Sequence, residues 1–208
     1  MSDNFDITKL FPGLYKADPK EPVLIHVPAL RVLAISGEGD PNTESFQHAV
    51  EALYSTAYGI KFMPKRGPVP EGFVDFKVSP LEALWSMKDG KEFDASKPDQ
   101  WHWEAFLVVP GFVTQNLAQN AAKAMSENHP NPQFDNLHIK TLEEKQAVQI
   151  MHVGSYKNET ADIALMRSFM ESHDLKPSSA HHEIYLSDQR RVATSRLKTI
   201  LRQPVIKK

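Results

Sequence analysis

The chain carries one local pattern twice, and this internal duplication constrains its fold more than any other feature. A strand-like apolar run, a glycine-containing polar turn and a helix-period run follow one another around Gly37 and again around Gly154. A short apolar run precedes each unit, and two more strand-like runs follow it. One helix covers one face of such a sheet, so two copies side by side leave a cleft at their junction, where ligand pockets commonly lie. The sequence therefore predicts an α+β fold of two pseudo-symmetric strand–helix–strand–strand repeats around a central cleft.

The expected elements follow from periodicity and from turn residues. Because only a short turn through Pro28 and Ala29 separates the first two strands, we expect them to form a hairpin. A helix is expected to begin near Asn42 and to be ended by Gly59. The other expected helices cover residues 114–125 and 159–173, and the expected strands cover residues 23–27, 31–36, 73–78, 103–109, 137–140, 147–153, 182–186 and 198–202.

No flexible linker separates the two halves, so we expect one domain. Its predicted parts are an irregular N-terminal arm (1–22) and a single unit (23–208), in which repeat one (about 23–110), a connector helix (about 112–130) and repeat two (about 136–206) follow one another.

Composition excludes several classes of protein. The chain has 208 residues, no cysteine and a formal net charge of −2. Without cysteine it has no disulfide, thiolate metal site or cysteine nucleophile. No apolar run approaches the ~18 residues of a membrane span, and the small net charge gives no electrostatic reason to bind nucleic acid. We therefore expect a cytoplasmic protein without a membrane or nucleic-acid partner.

Glu183 is the strongest single candidate for chemistry. Alternation along residues 182–186 is expected to place Ile184 and Leu186 under a helix, with Glu183 and Tyr185 facing away from it into the cleft. A partly desolvated carboxylate there would hold a cation or activate water. The alternative is a structural pairing of Glu183 with an arginine such as Arg190 or Arg202.

Aromatic and histidine side chains form the second group of candidates. Three tryptophans lie within residues 85–103, and two tyrosines of the first predicted helix are four residues apart. Such residues pack in a core or form flat walls for a planar ligand or a cation. Adjacent histidines at 181 and 182 point to opposite faces of a strand, and no HExxH spacing occurs, so no metal site is predicted.

Five short motifs resemble the GyrI-like small-molecule-binding family. They are Met-His-Val-Gly-Ser-Tyr (151–156), His-His-Glu-Ile-Tyr-Leu-Ser-Asp (181–188), Leu-Lys-Thr-Ile-Leu-Arg-Gln-Pro-Val (197–205), Pro-Leu-Glu-Ala-Leu-Trp (80–85) and Trp-His-Trp (101–103). The resemblance covers about residues 20–206. It implies two tandem modules of the SHS2 type around a ligand cleft.

Members of that family bind or act on small molecules. Some are effector domains of multidrug-sensing transcription activators, in which a buried glutamate on a late strand meets cationic aromatic drugs. Others hydrolyse cyclopropane-bearing DNA-alkylating natural products with a glutamate and a tyrosine, and some resemble gyrase inhibitors. Ser155 departs from the family pattern, since many relatives have proline there, and this leaves the place of the following tyrosine open.

Carried onto this sequence, the resemblance implies a cofactor-independent hydrolase of strained-ring genotoxic compounds, without a metal or an organic cofactor. The alternatives are a non-catalytic protein that sequesters or senses hydrophobic or cationic aromatic compounds, and the less favoured gyrase inhibitor. The implied catalytic residues are Glu183 and Tyr156, with Tyr54 as the alternative tyrosine. The implied ligand contacts are Tyr54, Tyr58, Trp85, Trp101, Trp103, His152 and Tyr185.

Overall fold

One antiparallel sheet connects both halves of the chain in the computed structural model, which describes residues 4–90, 97–127, 129–188 and 190–208. Within these residues the strands are β1 (Val23–Val27), β2 (Leu30–Glu38), β3 (Leu81–Met87), β4 (Trp101–Val108), β5 (His138–Leu142), β6 (Lys145–Val153), β7 (Leu175–Pro177), β8 (His181–Tyr185) and β9 (Lys198–Lys207). The α-helices are α1 (Ile7–Leu10), α2 (Glu44–Lys61), α3 (Gln115–Ser126) and α4 (Thr160–Ser172).

The strand order has an internal symmetry. It runs β1-β6-β9-β8-β3-β4-β2-β5, with β7 paired to β9 beside this path. Exchanging β1 with β5, β2 with β6, β3 with β8 and β4 with β9 reverses this order and leaves the pairings unchanged. The two halves therefore meet at the β3–β8 pair, where Ala83 lies opposite Glu183. The predicted α+β class is confirmed, while the repeat and arm boundaries stay predictions.

The expected hairpin of the first two strands is wrong. Strand β1 pairs with β6, and β2 pairs with β4 and β5, so each half contributes an edge strand to the other. Only Pro28 and Ala29 separate β1 from β2, yet the two strands lie near opposite ends of the strand order. A three-residue step spans only about 10 Å, so the sheet must curl until its ends approach each other.

This curling gives the sheet an inner and an outer face. The outer face carries α2 and α3 over one half and α4 over the other. The inner face is filled by a core cluster to which the N-terminal segment contributes Ile7, Leu14 and Tyr15. That segment, predicted as an irregular arm, contains the four-residue α1, and its apolar side chains complete the inner core.

Residues 73–78 do not form the predicted strand. Phe76 makes a single parallel bridge with Phe5 and is otherwise a buried core residue, while Val74 is exposed. The alternating pattern therefore reflects one anchored phenylalanine in a loop. The strand that pairs in the sheet is β3, which begins at Leu81 and was not among the expected strands.

Gly59 does not end α2, which continues to Lys61. A side-chain carbon at position 59 would lie 3.4 Å from Met125 of α3, so the glycine lets the two helices pack closely. The connector helix and the second-half helix lie within one or two residues of their predicted ends. None of the helices within the described ranges is both long and apolar enough to cross a membrane.

Gly37 of β2 provides a test of this packing. A β-carbon at position 37 would lie 2.3 Å from the indole of the fully buried Trp103, which has no room to move away. We expect Gly37→Ala to lower the free energy of unfolding by about 1–3 kcal/mol, the usual cost of overpacking a core, and to change the tryptophan fluorescence. Urea denaturation measures the loss. Gly111→Ala is the matched control, since a β-carbon there meets no atom within 4 Å; equal stabilities of the two variants would contradict this account.

Candidate functional site

Strand β8 lies at the centre of the sheet and presents alternate residues to its two faces. Glu183 lies opposite Ala83 and Leu201, which belong to the cores under α2 and α4. Ile184 lies opposite Glu82 and Ile200 on the inner face. The predicted orientation is therefore wrong: Glu183 and Tyr185 are on the helix-bearing face, because the other face is filled by the N-terminal segment.

The Glu183 carboxyl is largely desolvated. Its side chain is 13% exposed. Burial raises the pKa of Glu183 to about 7, although a hydrogen bond from Tyr185 and the nearby His182 and His152 partly oppose this shift. The structural alternative fails, since Arg190 binds Asp188 and Arg202 binds partners on the inner face. A carboxyl that changes charge near neutrality is suited to proton transfer.

A hydrogen-bonded chain orients this carboxyl. The indole nitrogen of Trp85 donates to the Tyr185 hydroxyl at 3.1 Å, and that hydroxyl is hydrogen-bonded to Glu183. Because the hydroxyl accepts from the indole, its own hydrogen is directed to the carboxyl, and each bond strengthens the next. Trp85 and Tyr185, both predicted as ligand contacts, therefore set the geometry of Glu183.

Tyr156 lies beside this chain. It begins a short 3-10 turn (Tyr156–Asn158) before α4, and its ring meets the Tyr185 ring edge-on at 5.9 Å. Burial and then the charge of Glu183 raise the pKa of the half-buried Tyr156 hydroxyl. The structure thus brings together the two residues predicted to be catalytic. Their roles stay predictions.

Tyr54 approaches the same region from α2. Its hydroxyl accepts a hydrogen bond from the Leu81 backbone amide, and Leu81 is the register partner of Tyr185. Burial and then Tyr58 raise the pKa of Tyr54 to about 12. Tyr58 itself is exposed and stacks between Tyr54 and Phe62, at 6.4 Å and 6.1 Å, along a surface groove of α2. Tyr58 is therefore not brought to Glu183.

The three tryptophans have different environments. The Trp85 and Trp101 rings meet edge-on at 5.5 Å on the outer face, and Trp101 is only partly buried. Trp103 is fully buried, packed at 5.0 Å against Phe46. Trp101 is therefore placed to form an aromatic wall, whereas Trp85 and Trp103 support that wall from the core.

His152 is a positioning residue by its contacts. One ring nitrogen lies 2.7 Å from the Asp162 carboxylate of α4, and the other lies 3.0 Å from the Ser155 carbonyl. Both nitrogens are engaged, so His152 joins β6 to α4 and fixes the turn that carries Tyr156. The contact of His152 with residue 155 is to the backbone carbonyl, which any residue supplies, so it does not depend on serine or proline at that position.

Glu159 is the member of the site that sequence reasoning missed. It immediately precedes α4, makes no capping hydrogen bond, and is only 8% exposed. Within the described residues its Oε1 has no hydrogen-bond partner. Burial, Glu183 and Asp162 raise the pKa of Glu159 to about 9. A glutamate at the start of a helix is ordinarily explained by its favourable charge interaction with the helix dipole, so the sequence gives no sign that Glu159 belongs to a site.

Comparison with known proteins places this geometry in a family. No protein-family model matches the chain, and no curated protein matches its sequence. A solved structure of an uncharacterized conserved protein from Listeria innocua is 35% identical, with a TM-score of 0.90, over 98% of this chain and 100% of that one. A structure described as a hydrolase from Listeria innocua aligns with the same identity, coverage and TM-score.

A more distant structure shares the fold alone. The C-terminal domain of EcmrR is 14% identical over 90% of this chain and 98% of that one, with a TM-score of 0.58. The α+β architecture fits the GyrI-like fold that the motifs predicted. At 35% identity over nearly the whole length, the chain belongs to the family of these Listeria innocua proteins.

Proposed function

We propose that the protein binds a planar hydrophobic or cationic small molecule beside Glu183 and acts as a hydrolase that adds water to a strained ring, without a metal or an organic cofactor. The observation that carries the proposal is a buried glutamate, bound to Tyr185 and Trp85, whose pKa of about 7 lets it accept a proton near neutrality. The relative described as a hydrolase supports a hydrolytic reaction.

Binding would use the aromatic side chains of the outer face. The partly buried Trp101 supplies flat apolar surface with the buried Trp85 packed edge-on against it, and the ring of Tyr156 supplies a wall on the α4 side. Planar ligands stack on such surfaces, and a cation gains from the ring quadrupole and from an ionised Glu183, together worth about 1–3 kcal/mol when desolvated. The same features suit sequestration without turnover, which is the alternative function.

The proposed reaction adds one water molecule. Glu183 accepts a proton from water as the water oxygen bonds to a ring carbon. The broken carbon–carbon bond delivers its electron pair, through a conjugated system, to an oxygen of the substrate. A hydrogen-bond donor on the α4 side, with Tyr156 as the sequence-based candidate, stabilises that oxygen. The walls hold the substrate over the carboxyl, and this positioning supplies part of the rate gain.

Binding of a cation is expected to depend on the ionisation of Glu183. Below pH 7 the carboxyl is protonated and neutral, so affinity for a planar cationic dye should rise about tenfold between pH 6 and pH 8. His181 does not mask this change, since burial lowers its pKa to about 4. Tryptophan-fluorescence titration measures the affinity. Glu183→Gln should bind weakly at every pH; a variant with the parent pH dependence would exclude Glu183 as the ligand's counter-ion.

Hydrolysis is tested with a cyclopropane-bearing DNA-alkylating compound as the probe. We expect mass spectrometry to detect a product heavier by one water, and Glu183→Gln to slow its formation by about 10²–10⁴-fold, since the amide cannot accept the proton. Glu143→Gln is the control, because Glu143 is an exposed glutamate next to a buried one. Probe binding without a hydrated product would identify a sequestering protein, and a Glu183→Gln variant as fast as the parent would refute the mechanism.

A gyrase-directed role is the remaining alternative. Nothing in the described surface favours it over small-molecule binding, and a net charge of −2 offers no acidic mimic of DNA. Supercoiling assays with the purified protein are expected to show no inhibition of gyrase.

A further inference from the structure

Two buried carboxyl groups share the candidate site, and only one of them has a described partner. Glu183 is hydrogen-bonded to Tyr185, whereas Oε1 of Glu159 has no hydrogen-bond partner among the described residues. A buried polar group left without a partner is destabilising, and more so if it is charged. Such a group is expected to persist where a ligand completes its hydrogen bonding.

The position of Glu159 directs it toward the same ligand as Glu183. Its backbone amide bonds to the carbonyl of Tyr156, so one turn of chain carries both side chains. The electrostatic surroundings of Tyr156 and of Tyr185 include both glutamates. The four side chains therefore form one cluster on the outer face.

Glu159 does not cap the helix that it precedes. As the residue before α4 it is positioned to cap the helix, yet its side chain makes no hydrogen bond to the first-turn amides. An ionised carboxylate would be stabilised by those amides and by the helix dipole. The lack of this contact, together with burial beside Glu183 and Asp162, favours the neutral acid.

We propose that Glu159 is the neutral carboxylic acid of the site and donates its proton to an oxygen of the ligand while Glu183 activates water. This inference rests on the proposed hydrolase function and specifies its substrate class, a flat electrophile with an acceptor oxygen conjugated to the strained ring. It also assigns to Glu159 the donor role that the sequence gave to Tyr156.

The two carboxyls together hold one proton at the start of the cycle, on Glu159, and again at its end. Water gives its proton to Glu183 as its oxygen bonds to the ring carbon. The ring bond breaks, and the substrate oxygen takes the proton of Glu159. Glu183 is then protonated and Glu159 ionised, and transfer of one proton between them restores the starting state. The net change is the addition of water.

Acid strength favours Glu159 over the tyrosine. The pKa of Glu159, about 9, lies closer to neutrality than that of Tyr156, which is raised above its ordinary value of 10. General acids work best when their pKa is near the operating pH. Both ring nitrogens of the nearby His152 are engaged, by Asp162 and by the Ser155 carbonyl, and burial together with the charges of His182 and Arg167 keeps His181 neutral above pH 4.

The first test needs no ligand. Infrared difference spectroscopy of the wild-type protein at pH 8, where Glu183 with its pKa of about 7 is ionised and Glu159 with its pKa of about 9 is not, should show the carbonyl band of a neutral carboxylic acid, and Glu159→Gln should remove that band. Glu171→Gln, an exposed change on α4, should keep it. A spectrum without this band, or a band that survives in Glu159→Gln, would overturn the inference.

Thermal stability separates the proposed acid from an ordinary helix cap. The folded-state pKa of about 9 is above the unfolded value near 4.5, so the folded state holds the extra proton and stability falls as pH rises between these values. Glu159→Gln lacks this ionisation and should melt at least as high as the wild type at pH 8. A structural cap would give the opposite result, a lower melting temperature at every pH.

Turnover of the cyclopropane probe completes the test. We expect Glu159→Gln to slow hydration by about 10²–10⁴-fold and Tyr156→Phe to slow it less. A Glu159→Gln rate within twofold of the parent would overturn the inference. If the wild type binds the probe without hydrating it, the hydrolase function fails separately: a carbonyl band that shifts on binding then supports Glu159 as the ligand's hydrogen-bond donor, and an unshifted band excludes it.

Discussion

A buried histidine between two glutamates is the interaction on which the rest of the structure depends. The ring nitrogens of His182 donate to Glu82 and to Glu144, each at 2.9 Å, and His182 is inaccessible to solvent. Burial alone would lower the pKa of His182, but Glu144 and Glu82 together raise it. Arg202 adds a second cation beside Glu144. Two cations thus balance two carboxylates in the inner core, where an unpaired charge would be strongly destabilising.

This network also explains how a non-regular N-terminal segment belongs to the fold. The Tyr15 hydroxyl donates to Glu82 at 2.8 Å, and Arg202 donates to the carbonyl of Leu14 at 2.7 Å. Gln149 donates to the carbonyls of Gly13 and Lys16. Backbone carbonyls that would otherwise be buried without partners are satisfied by side chains from β6 and β9, and β3 supplies the acceptor for the Tyr15 hydroxyl. The segment therefore fills the inner face and leaves the outer face for the site.

Local patterns predicted the elements, whereas non-local pairing decided the orientation of the site. Most strands and helices lie where periodicity placed them, because strand and helix periods are local properties of the chain. The partners of β1 and the inner position of Ile184 depend on contacts more than 100 residues apart, which one sequence does not reveal. Alternation correctly put Ile184 and Glu183 on opposite faces but could not say which face was filled. Alternation and the family motifs pointed to Glu183 and the motifs to Tyr156, whose roles stay predictions, whereas the burial of Glu159 is a tertiary property that no local pattern carries.

The two faces of β8 place similar chemical groups under opposite physical conditions. Burial tends to raise the pKa of Glu144 as it does that of Glu183, but His182 and Arg202 lower the pKa of Glu144 below its usual value. On the outer face burial dominates: it raises the pKa of Glu183 although the hydrogen bond from Tyr185 opposes the shift, and it raises that of Glu159 together with the neighbouring carboxyl of Glu183. On the inner face of β8 the buried charges at His182 are compensated and stabilise the fold. On the outer face the carboxyl of the next residue, Glu183, is buried with less compensation. Stability alone would not maintain the outer arrangement, since neutral side chains of the same size would remove its cost. The inner network stabilises the strand that carries the outer site. Because His182 fixes β8, Glu183 stays in place whatever its state of ionisation.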